Sequence, residues 1–217
     1  MTQIDNEKSS VQVNGQDEQQ SVNANDKSKQ SEQQKKRAPL FSTRSIAGMA
    51  IFSALSYGIS FLEFSLFPSS AVFFLKLDFS NVFIMLAGFM YGPLSALFVG
   101  IIKELLCLIG TQTLGVGQIA NFVVILAYVI PPSIIYLFKK GIKWVILSLL
   151  LACVLQVVFA LLTNKFITFP LYGMAEAFDP SFWLILAFNV IKSVSVSIIT
   201  ILLYKRISYV FEKIKIR

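Results

Sequence analysis

Residues 80–110 read SNVFIMLAGFMYGPLSALFVGIIKELLCLIG, and the folding of this stretch decides how often the chain crosses a lipid bilayer. As one helix it would be about 46 Å long, whereas the hydrocarbon core of a bilayer is about 30 Å thick. Two ordinary spans of about 20 residues each would need more residues than it contains. Glycine followed by proline breaks a helix strongly, so Gly92-Pro93 divides the stretch. We predict two short helices that meet at Gly92-Pro93, with a re-entrant hairpin as the alternative.

Four other apolar stretches have about the length of a membrane-spanning helix. They are residues 45–62, 119–138, 144–162 and 182–204, and the second contains a predicted break at Pro131-Pro132. The whole chain is 55% hydrophobic and 14% charged, whereas soluble domains are about 25% charged. The sequence therefore predicts an all-α membrane protein.

Basic residues cluster before the first span (35–44), between the fourth and fifth spans (139–143) and after the last (205–217). By the positive-inside rule all three clusters are cytoplasmic, so an even number of spans must separate each from the next. We therefore predict six transmembrane helices with both termini cytoplasmic. The net charge of +7 then reflects membrane orientation, and no nucleic-acid partner is expected. The predicted outer loops are residues 63–79, 111–118 and 163–181.

Residues 1–40 are dense in Gln, Ser, Asn, Asp and Lys. Such a segment is too polar to bury a core, and we expect a disordered tail. Residues 41–217 form the predicted six-helix transmembrane domain. The outer loop 63–79 is unusually apolar and aromatic, so we expect it to fold back over the outer face.

Enzyme motifs are absent from the sequence. The chain has no histidine, which removes histidine-based zinc sites and the usual Ser–His catalysis. Neither a Walker A motif nor a GxGxxG pattern occurs, and Asp78 and Asp179 fall at helix ends. We expect no catalytic residue, no metal and no cofactor.

Polar residues inside the spans are the better indication of function. A lysine near the bilayer centre costs about 2.5–3.5 kcal/mol, so Lys192 predicts a functional site. Asn189, three residues earlier, shares its helical face. Lys192 could instead form a structural pair with Glu104. Lys103 and Glu104 are adjacent and should point about 100° apart, so we expect them to face different partners.

Asn121 and Asn164 lie near the predicted outer ends of their helices, where they could contact a ligand or simply cap the helix. Ala50 and Ala54, with Ala47 one turn earlier, form a row of small residues in the first span. Small residues at this spacing allow another helix to approach closely.

Four segments in the same order resemble the substrate-binding S components of energy-coupling factor (ECF) vitamin transporters, most closely the riboflavin-specific type. They are residues 74–80 (FLKLDFS), 115–122 (GVGQIANF), 164–172 (NKFITFPLY) and Asn189-x-x-Lys192. The likeness covers roughly residues 44–205. It implies a six-helix bundle in a bacterial cell membrane that binds its vitamin near the outer face.

The resemblance also implies residue roles and partners. Asn164, Asn189 and Lys192 match positions that hydrogen-bond the flavin, and Asn121 is a further candidate. The loop that closes over the ligand would supply Leu75, Lys76, Leu77 and Asp78. The Ala50-x-x-x-Ala54 pair matches the motif that packs against the transmembrane coupling (T) subunit, with Ala47 beside it. Two cytosolic ATPases would power uptake, and the S component would tip over in the membrane.

Two residues differ from the pattern of the family. Gln118 stands where glutamate is expected, and Glu104 where asparagine or aspartate is expected. Alternatives to riboflavin binding are an S component for another vitamin, a self-sufficient secondary transporter that uses Lys103, Glu104 and Lys192 for ions, and a membrane scaffold without a ligand.

Overall fold

A computed structural model gives the fold of the chain. It describes residues 42–67, 72–110 and 115–215, without the side chains of residues 44 and 207–215. The predicted tail, residues 1–40, lies outside the described residues. Six main helices form the described chain: α1 Thr43–Ser60, α2 Asn81–Tyr91, α3 Pro93–Leu108, α4 Val116–Phe138, α5 Ile142–Thr163 and α6 Phe178–Lys215.

The break between α2 and α3 confirms the prediction for residues 80–110. Gly92 has φ 101°, in the left-handed region that favours glycine. Pro93 is the first residue of α3. An N–H group at this position would have no acceptor inside the helix, so a proline, which lacks it, is tolerated there. α2 is the central helix, since eight of its eleven residues are buried.

The predicted break at Pro131-Pro132 is wrong, because α4 runs through both prolines as one helix. Proline removes a backbone donor, but membrane helices tolerate it where neighbouring groups satisfy the freed carbonyls. The carbonyls that lose a donor here are those of Ala127 and Tyr128. Ser133, directly after the prolines, donates its hydroxyl to the Val129 carbonyl at 2.7 Å. Gly88 of α2 packs against Ser133 so closely that a side chain at residue 88 would overlap with Ser133 Oγ.

The predicted outer loop 163–181 is largely helical, which corrects the sequence interpretation. α5 continues as a π-helical turn, Asn164–Thr168, and a short α-helical turn, Phe169–Leu171. A 3₁₀ turn, Ala175–Ala177, leads directly into α6. Hydropathy locates the part of a helix that lies in the bilayer, whereas these helices extend beyond that part.

The described parts of the predicted outer loop, residues 63–67 and 72–79, fold back onto the bundle as predicted. β1 (Phe64–Ser65) pairs antiparallel with β2 (Lys76–Leu77). Between them Val72 is fully buried, and the Phe74 ring lies 5.4 Å from Phe169 and 5.0 Å from Tyr172. We call the end of the bundle that carries this hairpin the hairpin end, and the opposite end, with residues 139–143, the lysine end.

The outer surface of the bundle is apolar. Within the part of the chain that the structure describes, three helical segments are long and apolar enough to cross a membrane, and two shorter apolar helices accompany them. The long ones are Val116–Phe138, Ile142–Leu171 and Ala175–Arg206; the short ones are Ser45–Ser60 and Asn81–Tyr91. Leucines and valines such as Leu150 and Val154 lie exposed on this surface. Contiguous apolar patches of this kind mark contact with lipid, and the protein is an all-α membrane protein.

Candidate binding site

Asp78 lies at the centre of a buried charged cluster at the hairpin end. It directly follows β2, and its Oδ2 atom is 3.9 Å from both Lys103 Nζ and Lys192 Nζ. Its Oδ1 atom accepts hydrogen bonds from the Ser80 backbone N–H, at 2.7 Å, and from the Ser80 hydroxyl. The carboxylate thus joins the hairpin to α3 and α6.

The surroundings of Asp78 keep it ionised. Burial alone would raise the pKa of this carboxyl, but Lys192, Lys103 and the Ser80 hydrogen bonds outweigh burial and lower the pKa from 3.8 to about 2. Because the pKa is lower in the folded state, the stabilisation is fully present above pH 3.8 and is lost only as the pH falls through about 2. The cluster is therefore intact at neutral pH.

Lys103 and Glu104 belong to the same cluster and contact each other directly, which the sequence did not predict. Their other partners differ, as expected: Lys103 lies near Asp78, and Glu104 pairs with Asn121. Lys103 Nζ donates to Glu104 Oε1 at 2.8 Å. Asn121 Nδ2 of α4 donates to the same oxygen at 2.6 Å. Adjacent residues start about 100° apart on a helix, but the long lysine stem allows its ammonium group to reach back to the neighbouring carboxylate.

Lys192 is buried near the middle of α6, and its described ionic partner is Asp78. The alternative pairing with Glu104 is therefore not what the structure shows. The cluster now contains two ammonium groups and two carboxylates, so it is charge-balanced. A balanced cluster of donors and acceptors under an apolar cover suits a neutral ligand that carries carbonyl and hydroxyl groups.

Asn164 and Asn189 are both buried at the hairpin end. Each amide donates at 2.8 Å to a carbonyl one turn earlier in its own helix, Ala160 and Ile185 respectively. Among the described residues, neither amide hydrogen-bonds with the charged cluster. Their side chains can redirect these bonds to a ligand, because the helix carbonyls already have backbone donors.

The predicted loop residues have different surroundings. Leu77 is buried, and Leu75 packs against the apolar cluster around Phe169 and Phe178. Lys76 is exposed and forms a surface ion pair with Glu63. The loop therefore brings apolar side chains and Asp78 inward and leaves the Lys76 ammonium group outside.

Two buried amides were not identified from the sequence. Asn81 at the start of α2 and Gln156 in α5 are fully buried, and neither side chain has a hydrogen-bond partner among the described residues. Gln156 is the only glutamine in the apolar run 144–162, which was a usable signal.

The level of Gln156 along the bundle follows from a contact between α5 and α6. Cys153 Sγ lies 3.3 Å from Ser197 Oγ. Since α5 and α6 run in opposite directions, Gln156 is about one turn nearer the hairpin end, close to the level of Lys192.

The small residues of α1 form an open row on the outside of the bundle. Ala47, Ala50 and Ala54 are all exposed. A Cβ added at Gly58, four residues after Ala54, would meet nothing within 4 Å. This face could accept a closely packed helix.

Known proteins resemble almost the whole helical region. The family model described as "ECF transporter, substrate-specific component" matches residues 44–204. The riboflavin transporter RibU of Staphylococcus aureus is 30% identical over 176 residues, which cover 76% of this chain and 91% of that protein. The riboflavin transporter FmnP of Bacillus subtilis is 29% identical over 170 residues, covering 72% and 87%.

A solved structure has a similar fold. It is described as the S component of a bacterial ECF transporter, and it matches with a TM-score of 0.68 and 31% sequence identity. The match covers 76% of this chain and 96% of the solved one.

Proposed function

The chain belongs to the substrate-specific components, or S components, of ECF transporters, and from this premise we propose that it binds riboflavin with high affinity for uptake. The family consists of transporter components rather than enzymes. In the proposal, the protein is a multi-pass component of a bacterial cell membrane. A T subunit and two cytosolic ATPases complete the transporter and supply the energy of ATP hydrolysis.

All six main helices cross the membrane in this proposal, with both termini in the cytoplasm. The hairpin end then faces outward and the lysine end inward. The positive-inside rule supports this orientation, because Lys139, Lys140 and Lys143 lie together at the lysine end. The hairpin end carries two exposed or partly exposed lysines, Lys76 and Lys165, of which Lys76 is paired with Glu63.

The observation that carries the proposal is the buried, charge-balanced cluster beneath the hairpin. Riboflavin has a flat apolar ring with carbonyls at one edge and a polyol tail. Lys192, Asn189 and Asn164 would donate to its oxygens, while the hairpin residues Leu75 and Leu77 would cover the ring. Asp78 and Glu104 would hold the ammonium groups in position, and Asn121 would orient the Glu104 carboxylate. The names of the relatives support riboflavin as the ligand.

A thermal-shift panel of vitamins tests the proposal. A ligand at a hundredfold excess over its Kd stabilises the folded state by about 2.7 kcal/mol. For a protein of this size, that corresponds to roughly 5–10 °C in Tm. Riboflavin should give this shift. A shift with a different vitamin and none with riboflavin would favour the second candidate, an S component for that vitamin.

A self-sufficient secondary transporter makes a different prediction. Lys103, Glu104 and Lys192 would then handle ions, and liposomes containing the chain alone would take up substrate under an ion gradient. Our proposal predicts no such uptake until the T subunit and the ATPases are added with ATP.

Gln156 gives a prediction that separates ligand binding from stability. We expect Gln156→Met to weaken riboflavin binding by about 1 kcal/mol, because a ligand hydrogen bond is lost. The same change should leave the ligand-free protein equally or more stable, because a buried amide without a partner is replaced by an apolar side chain of similar shape. Fluorescence titration and thermal unfolding measure the two quantities. A loss of stability with unchanged affinity would exclude Gln156 from the binding site.

The exposed row on α1 predicts a partner surface. Ala50→Trp or Ala54→Trp should abolish riboflavin uptake by the full transporter, because an indole ring prevents close helix packing. Riboflavin binding by the isolated S component should not change. Leu202→Trp on α6 is the control, since Leu202 is also exposed to the membrane. Normal uptake by both alanine variants would show that the T subunit packs elsewhere.

A further inference from the structure

A cavity lies at the lysine end, away from the charged cluster. It has a volume of about 630 Å³ and lies between the end of α4 and the start of α5. Its lining is almost entirely apolar and includes Ile134, Phe138, Trp144, Leu147 and Leu151. We call this cavity the α4–α5 groove. Its side chains are exposed on the membrane-facing surface of the bundle.

Three exposed lysines lie in the short segment between α4 and the start of α5, next to the α4–α5 groove. Lys139 lines it, with Nζ 3.8 Å from the centre of the Trp144 ring. Lys140 and Lys143 lie within four residues of Lys139, and all three are exposed. No carboxylate of the described residues lies within 4.0 Å of any of these ammonium groups. The described chain therefore leaves a triple positive charge unneutralised beside an apolar cavity.

We propose that the α4–α5 groove is a binding site for an anionic phospholipid. One acyl chain lies against Ile134, Leu147 and Leu151, and the phosphate group lies among Lys139, Lys140 and Lys143. Basic pockets between transmembrane helices bind anionic headgroups in this way. In this arrangement the Trp144 ring, next to Lys139, would lie at the boundary between acyl chains and headgroups, which tryptophan prefers.

The amphipathic character of the site selects this ligand. A free phosphate would leave the apolar cavity empty, and a zwitterionic lipid would bring its own cation next to the three lysines. An acyl chain with an anionic headgroup satisfies both parts. The site does not depend on riboflavin binding, since it shares no residue with the charged cluster.

Native mass spectrometry of the full-length protein tests the proposal, with phosphatidylglycerol and phosphatidylcholine of identical acyl chains as probes. We expect the protein to retain a bound phosphatidylglycerol molecule and to bind this lipid in clear preference to phosphatidylcholine. Replacing all three lysines (K139Q/K140Q/K143Q) should weaken phosphatidylglycerol binding by roughly a hundredfold, because each lysine near a headgroup contributes about fivefold. The matched control K205Q/R206Q/K213Q removes the same charge from the same end and should bind normally.

A groove-filling variant separates a specific site from general surface attraction. Leu151→Trp keeps all three lysines but fills the part of the α4–α5 groove that would hold the acyl chain. This variant should also bind phosphatidylglycerol weakly. The proposal is overturned if Leu151→Trp binds like wild type, if the control triple variant loses as much as the groove triple variant, or if inorganic phosphate displaces the lipid. Cooperative thermal unfolding of each variant close to the wild-type Tm shows that the variants are folded, whether or not riboflavin is the ligand.

Discussion

Asp78→Asn is expected to lower the stability of the protein by about 3–5 kcal/mol, because removing one partner of a buried ion pair leaves an uncompensated charge. Lys103 retains Glu104 as a partner at 2.8 Å, but Lys192 has no other described carboxylate within 4.0 Å. Thermal unfolding of the ligand-free protein should show a fall in Tm of roughly 10 °C.

Glu63→Gln provides the matched control for Asp78→Asn. Like Asp78→Asn, this change removes a carboxylate that pairs with a lysine. The Glu63–Lys76 pair, however, is exposed to solvent. Such surface pairs contribute about 0–1 kcal/mol. The double variant Asp78→Asn/Lys192→Met removes the stranded charge and should lose less stability than the two single variants summed. Equal effects of Asp78→Asn and Glu63→Gln would show that the buried cluster does not hold the hairpin.

Lys192→Met is expected to weaken riboflavin binding by about 1.5–3 kcal/mol, or roughly ten- to a hundred-fold, since a hydrogen bond from a charged donor is lost. The methionine keeps the length of the side chain, and Asp78 keeps Lys103 as an ionic partner. Titration of flavin fluorescence measures the change in affinity.

Lys165→Met is the control for this second prediction. Lys165 lies at the same end of the bundle and directly follows Asn164, but its side chain is exposed and stacks on the Phe178 ring. We expect its affinity to stay close to that of the wild type. If Lys192→Met also binds like wild type, Lys192 is not a ligand contact and its role is structural.

The sequence predicted the features that depend on hydropathy, charge and glycine–proline chemistry. The division at Gly92-Pro93 was predictable because few other residues adopt φ 101° and because proline favours the first turn of a helix. The back-folding of residues 63–79 was predictable because an aromatic segment outside a bilayer needs an apolar surface to cover. Both follow from local chemistry.

Other features depend on tertiary contacts that one sequence does not display. Pro131 and Pro132 look like a break, yet α4 continues through both. Membrane helices tolerate proline where their surroundings satisfy the freed carbonyls. The convergence of Lys103 and Glu104 depends on the flexible lysine stem and on Asp78, which is 25 residues away along the chain. Spacing on a helix fixes where a side chain starts and leaves open where its charged end lies.

The candidate site was likewise predicted only in part. The buried position of Lys192 follows from its place in an apolar span, but its pairing with Asp78 requires the fold of the hairpin. Gln156 could have been noticed as the one amide in a long apolar run. Its lack of a partner becomes visible only when α6 and α4 are packed around it.

Titration of the purified full-length protein with riboflavin tests the central claim most directly. We predict quenching of flavin fluorescence that saturates with one riboflavin per chain, at nanomolar to low micromolar concentration, and that is weakened in Lys192→Met but not in Lys165→Met. Saturating riboflavin that gives neither quenching nor a rise in Tm, in a protein that unfolds cooperatively, would contradict the account.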